Sequence, residues 1–115
     1  MGDKYILDGK LAVECADLMK WAAWFEENNL KRHVADEHIS DVRVSTVFLG
    51  IDHSFGGGVP LLFETMVFGG ALDEDQERCT TWEQAETMHK NMVERVKTEG
   101  SNVKVRGCAL LRSPA

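Results

Sequence analysis

The chain has 115 residues, 43% hydrophobic and 28% charged, with a formal net charge of −6. That size suits one domain, expected over residues 1–115, able to bury roughly 65% of its unfolded surface without disulfide or metal staples. No apolar run reaches the about 18 residues of a membrane span, and Met1–Tyr5 lacks the basic-then-apolar order of a secretory signal, so a cytoplasmic protein is expected.

In chain order, Tyr5–Leu7 and Leu11–Val13 flank Asp8-Gly9, a short hairpin signal. Asp17 is placed to N-cap a helix over 18–28. Leu18, Trp21, Ala22 and Phe25 follow helical spacing and should face the core, with Trp24 at the edge of that stripe. His33–Ile39 and Val42–Ile51 read as strands joined by a tight turn at Ser40-Asp41. The second is rich in β-branched residues and apolar on both faces in its far half, as in a central strand covered twice. Leu61–Phe68, stopped by Gly69-Gly70, reads as another apolar strand.

Thr80 and Glu83 fit a capping box, and Thr81 with Gln84 fits the same box one residue later. The helix that follows places Ala85, Met88, His89, Met92, Val93 and Val96 on one face, with Gly100 as its C-cap. Val103, Val105, Ala109 and Leu111 alternate with Lys104, Arg106 and Arg112 as a closing edge strand. The expected fold is α+β: an antiparallel sheet of four main strands with two helices packed on it, plus a short N-terminal hairpin.

Charge is unevenly spread. Residues 65–89 carry −5 and residues 90–115 carry +4. An acidic chain is a poor general nucleic-acid binder, so no direct nucleic-acid binding is expected, although a local basic face suffices for a small anion. The acidic block from Asp73 to Glu86 reads first as solvated surface, and otherwise as a decoy for a basic partner.

The loop Asp52-His53-Ser54-Phe55-Gly56-Gly57-Gly58 holds the main candidates. Glycines there permit close backbone approach to a ligand. No Lys-Ser/Thr follows and no helix begins, so both phosphate-loop patterns fail, and a plain hairpin connection is the competing reading. Asp52-His53 could act as base and orienter only if the loop bends at once, because adjacent strand residues point apart. His33 and His38 also point apart, and no zinc site is expected.

Glu64 is a lone carboxylate in an apolar run: a functional group if buried, or an ordinary residue paired with an arginine. His89 on an apolar helix face reads as a satisfied core residue. The three cysteines, Cys15, Cys79 and Cys108, are too scattered for a disulfide framework. A helix N-terminus favours the Cys79 thiolate, and the neighbouring acids oppose it. No catalytic triad, nucleophile elbow or dinucleotide fingerprint is present, so no catalytic residue, metal or cofactor is assigned.

The stretch from Asp17 to Val96 resembles a family of short proteins encoded by tailed phages and prophages. Leu18–Trp21 and Trp24–Glu26 carry the resemblance, with Val44–Gly57, Leu61–Gly70 and Thr80–Glu83. It covers about two thirds of the chain and excludes Cys15, Cys79 and residues 101–115. It implies a genomic setting, that of a phage accessory protein in a bacterial host cell, and no assigned activity; by analogy with other small accessory phage proteins, antagonism of host defence is expected. The expected mode is non-enzymatic sequestration of a small anionic, nucleotide-type ligand, with a homo-oligomer as the expected assembly. The expected ligand-binding residues are Asp52, His53, Ser54, Phe55, Gly56, Gly57, Glu64, Trp24 and Arg106. The alternatives are an acidic nucleic-acid mimic that binds a host defence protein, and a small hydrolase using His53 and Glu64.

Overall fold

The computed structural model describes residues 3–54 and 58–109, with side chains through residue 99. The fold is α+β, as expected: a two-stranded N-terminal hairpin, a four-stranded antiparallel sheet and two helices. The hairpin pairs β1 (Tyr5–Asp8) with β2 (Leu11–Glu14), closing on Asp8 opposite Leu11. Gly9, at φ 64°, takes the left-handed position that this two-residue turn requires.

The main sheet is a meander of β3 (His33–Ile39), β4 (Val42–Phe48), β5 (Phe63–Phe68) and β6 (Gln76–Cys79). Register places Val44 opposite Val67, Thr46 opposite Thr65, and Phe48 opposite Phe63. These six side chains are buried and point to one face, the alternation that strand geometry imposes. The long helix α2 (Trp82–Ala109) lies on that face. It buries Ala85, Met88, His89, Met92, Val93 and Val96, the stripe its spacing predicts. Its N-terminus uses the later of the two capping boxes: Gln84 N–H donates to Thr81 Oγ1, and Gln84 Oε1 accepts from the N–H groups of Thr80 and Thr81.

The fourth strand differs from expectation. A closing strand is predicted over residues 103–111; residues 103–109 are instead helical, α2 running through Gly100 to Ala109, and residues 110 and 111 lie outside the described residues. Its place beside β5 is taken by β6, which is polar and immediately precedes the helix. Two consequences of geometry favour this. A turn at Ala71–Asp75 returns the chain beside β5 at once, and a single glycine inside a helix costs only about 1 kcal/mol.

The first helix also departs from its predicted face. Asp17 caps α1 (Leu18–Glu27), its Oδ1 accepting from Met19 and Lys20 N–H. Yet Leu18 is 56% exposed and Ala22 is exposed as well, while Trp21, Trp24 and Phe25 turn inward. The aromatic side chains bury more area per residue than Leu or Ala, so they set the rotation of the helix. Phe25 lies against Phe48, and Trp24 meets Phe48 edge-on at 5.9 Å.

β4 ends at Phe48, short of the predicted Ile51. Both helices lie on one face of the sheet; the expected second cover is not present among the described residues. Gly50, at φ 79°, turns the chain away, and a Cβ there would lie 1.9 Å from the Phe25 ring. Its carbonyl accepts from Tyr5 N–H at 2.8 Å and from Trp21 Nε1 at 3.1 Å, joining hairpin, sheet and α1. Gly50→Ala combines left-handed strain with a clash, and should destabilise by about 3 kcal/mol in urea unfolding. Gly9→Ala, where the added Cβ would meet nothing within 4 Å, should cost only about 1 kcal/mol.

Candidate functional site

The end of β4 brings Arg32 near the start of the loop that carries Asp52, His53 and Ser54. A 3-10 turn, Leu30–Arg32, follows α1 and brings Arg32 beside Phe48. Arg32 Nε donates to Phe48 O at 3.1 Å, and one terminal nitrogen donates to Asn29 Oδ1 at 3.1 Å. The guanidinium lies 4.7 Å from the Phe25 ring centroid, and the same ring closes on Gly50. Burial lowers the Arg32 pKa without discharging it. Among the described residues no carboxylate lies within ion-pair distance of this half-buried cation.

The chain leaves this corner through Ile51 into the loop singled out in the sequence. Asp52 works as a clamp across the loop base. Its carboxylate accepts from Ser54 N–H at 2.8 Å, Ser54 Oγ at 3.0 Å and Leu61 N–H at 2.9 Å. The two backbone N–H groups hold its pKa below the ordinary carboxylate range. His53 Nδ1 donates to Ile51 O at 2.8 Å, so Asp52 does not orient the imidazole. The base-and-orienter pair is therefore not assembled.

Other candidates lie apart. Phe55, Gly56 and Gly57 fall outside the described residues. Arg106 falls in α2 instead of a strand, and its side chain is outside the described set. At 1.5 Å per residue it is about 36 Å along the helix from Trp82, which packs on Phe63. Glu64 stands opposite Val47 on the sheet face away from the helices, where Arg78 Nε donates to it at 3.0 Å. Trp24 packs on the helix-side face, so Trp24 and Glu64 are separated by the sheet.

A second polar cluster runs from the core to the surface, where it ends on the exposed carboxylate of Glu37. His89 is 2% exposed; its Nδ1 lies 2.7 Å from Thr46 Oγ1, and its Nε2 lies 2.9 Å from Glu37 Oε1. Thr46 Oγ1 lies 2.5 Å from Thr65 Oγ1, and both threonines are wholly buried. A carboxylate only accepts, so His89 Nε2–H donates to Glu37, and Nδ1 accepts from Thr46, which accepts from Thr65. Every group in the chain is thereby partnered, and the two hydroxyls have no opening to a substrate. His89 is a core residue joining α2 to β3 and β4, as its helical position predicted.

Cys79 shows the opposite of nucleophile chemistry: burial pushes its thiol up to about 11. Among the described residues no cluster of His, Cys, Asp and Glu could hold a metal ion, and no helix is long and apolar enough to cross a membrane. No family model, curated protein or solved structure matches the chain.

Arg32 was absent from the sequence-based candidates. Lys31-Arg32 reads as ordinary surface charge after a helix, and only the fold places the second of them over Phe25.

Substitutions in the His89 cluster and at Asp52 test these assignments. Thr46→Val strands the Thr65 hydroxyl and His89 Nδ1 in the core, and should cost about 2 kcal/mol in urea unfolding. Combining it with Thr65→Val and His89→Leu should recover part of that loss, since no polar atom of the trio is then left unpaired. The depressed Asp52 pKa gives stability that is present above the unfolded value near 3.9 and disappears as pH falls through the lower folded value. Protection of the Leu61 amide against hydrogen exchange should therefore drop in strong acid, and Asp52→Asn should remove that dependence.

Proposed function

We infer that the protein binds a small anionic ligand of nucleotide type, without chemistry, at the corner where β4 ends. The carrying observation is Arg32: a half-buried guanidinium, fixed by Phe48 O, Asn29 and the Phe25 ring, with no acidic partner among the described residues. A half-buried cation without a counter-ion carries part of the desolvation cost of a buried charge. A phosphate or carboxylate of a ligand supplies that counter-ion with charge-assisted hydrogen bonds. Phe25, with Trp21 packed on it, provides the apolar wall beside it.

Asp52 itself takes no part in holding an anion, since its carboxylate repels one; its role is to close the loop. His53 keeps Nε2 free of the intrachain contact that occupies Nδ1, and is available to a ligand. The hydrolase reading loses its motive, because neither Asp52 nor Glu64 hydrogen-bonds His53. In the sequestering reading the protein acts as a phage accessory protein that lowers the free concentration of a host defence signal in the bacterial cell, assembled from several copies.

A thermal-melt screen against linear and cyclic nucleotides tests the reading. A ligand present at 100 times its dissociation constant should stabilise the fold by about 2.7 kcal/mol, a shift on the order of 10 °C for a domain of this size. Arg32→Gln should abolish the shift while the unliganded protein still melts cooperatively. A screen with no hit, or an undiminished shift in Arg32→Gln, would count against this site.

A further inference from the structure

The opposite edge of the sheet carries a separate surface. β6 is the last strand of the meander, hydrogen-bonded only on its β5 side. Thr65 is paired with Glu77, and Val67 N–H donates to Asp75 O two residues before it. Bonding alternates along an antiparallel ladder, so Glu77 and Cys79 direct their backbone groups to β5, and Gln76 and Arg78 direct theirs outward. Among the described residues nothing accepts or donates at those outward groups. An open groove runs beside them, between β6 and the first turns of α2, with Glu77, Cys79, Glu83, Thr87 and Met88 along it.

Native edges are commonly blunted by lysine, proline, a bulge or a covering element. This edge is short, at four residues, but among the described residues it carries no lysine, proline, bulge or covering element. Its only cation, Arg78, is held on the far face by Glu64. Arg95 is paired with Asp75 and Glu77, while Glu74, Glu83 and Glu86 have no ion pair among the described residues. An acidic edge repels a second copy of itself and favours a basic strand. The geometry points to β6 as a docking edge for an extended, basic segment of a partner protein, added antiparallel or parallel as a fifth strand. Backbone hydrogen bonds to Gln76 and Arg78 hold it, and alternate lysine or arginine side chains face Glu77 and Glu83 across the groove. This surface is at the far edge from Arg32 and does not depend on the ligand reading.

The probe is a fluorescent peptide of about eight residues alternating lysine and valine, long enough to cover the strand. Binding is followed by anisotropy, with hydrogen exchange of the Gln76 and Arg78 amides in the bound state. Gln76→Pro removes one outward N–H and leaves the β5 ladder intact, because proline is tolerated on the open side of an edge strand. Gln76→Ala keeps that N–H.

The expected result is equal binding by the unsubstituted protein and Gln76→Ala, at least about tenfold weaker binding by Gln76→Pro, and new protection at both amides. A peptide with glutamate replacing lysine should not bind. The proposal is overturned if the lysine peptide does not bind, or if it binds Gln76→Pro undiminished, which is the behaviour of diffuse charge attraction. It is also overturned if sedimentation shows that the protein self-associates and Gln76→Pro abolishes it, since the occupant is then a second copy. Should Gln76→Pro fail to fold, the amide protection in the unsubstituted protein decides alone.

Discussion

The antiparallel register of β4 with β5 is the constraint from which the rest follows. It aligns Val44, Thr46 and Phe48 with Val67, Thr65 and Phe63 on one face, giving α2 a continuous apolar bed. A slip of one residue would carry all six to the other side and expose Arg43, Val47 and Glu64 to the helix instead. The polar members strengthen this specification. Thr46, Thr65 and His89 satisfy each other only in this register, so an alternative pairing leaves buried hydroxyls unpartnered.

The second organising point is Gly50. Its carbonyl holds the backbone of Tyr5 and the indole of Trp21, and its bare Cα accepts the Phe25 ring. Phe25 in turn carries Arg32 on its other contacts. The candidate ligand corner is therefore assembled by parts distant in sequence: the end of a strand, an aromatic helix face and a 3-10 turn. Charge is distributed to match, with the half-buried Arg32 at this end and an acidic edge at the opposite strand.

Legibility in the sequence tracked how strongly one face was marked. The stripe from Ala85 to Val96 has polar neighbours on all other sides, so its inward face was unambiguous. The β-branched run Val42–Val47 and the apolar run Leu61–Phe68 identified the central strands. α1 was harder, because seven of its ten residues are apolar and spacing alone gives little direction. β6 carries three polar side chains in four residues and has no periodic signal. It is a strand because β5 is already waiting beside it. Alternation at Val103 to Leu111 misled because a period of two in charged sequence also fits the flank of a helix. Of the site, the loop was visible as composition, whereas Arg32 over Phe25 depends on tertiary placement that no local pattern encodes.

Asp52 has a consequence for how this protein can change over generations. By fastening Ser54 and Leu61 to one carboxylate, it closes the excursion between them like a drawstring. Insertions, deletions and altered side chains between Ser54 and Leu61 are thus insulated from folding. That segment is the part of the chain whose sequence can change with least cost to the two strands it joins.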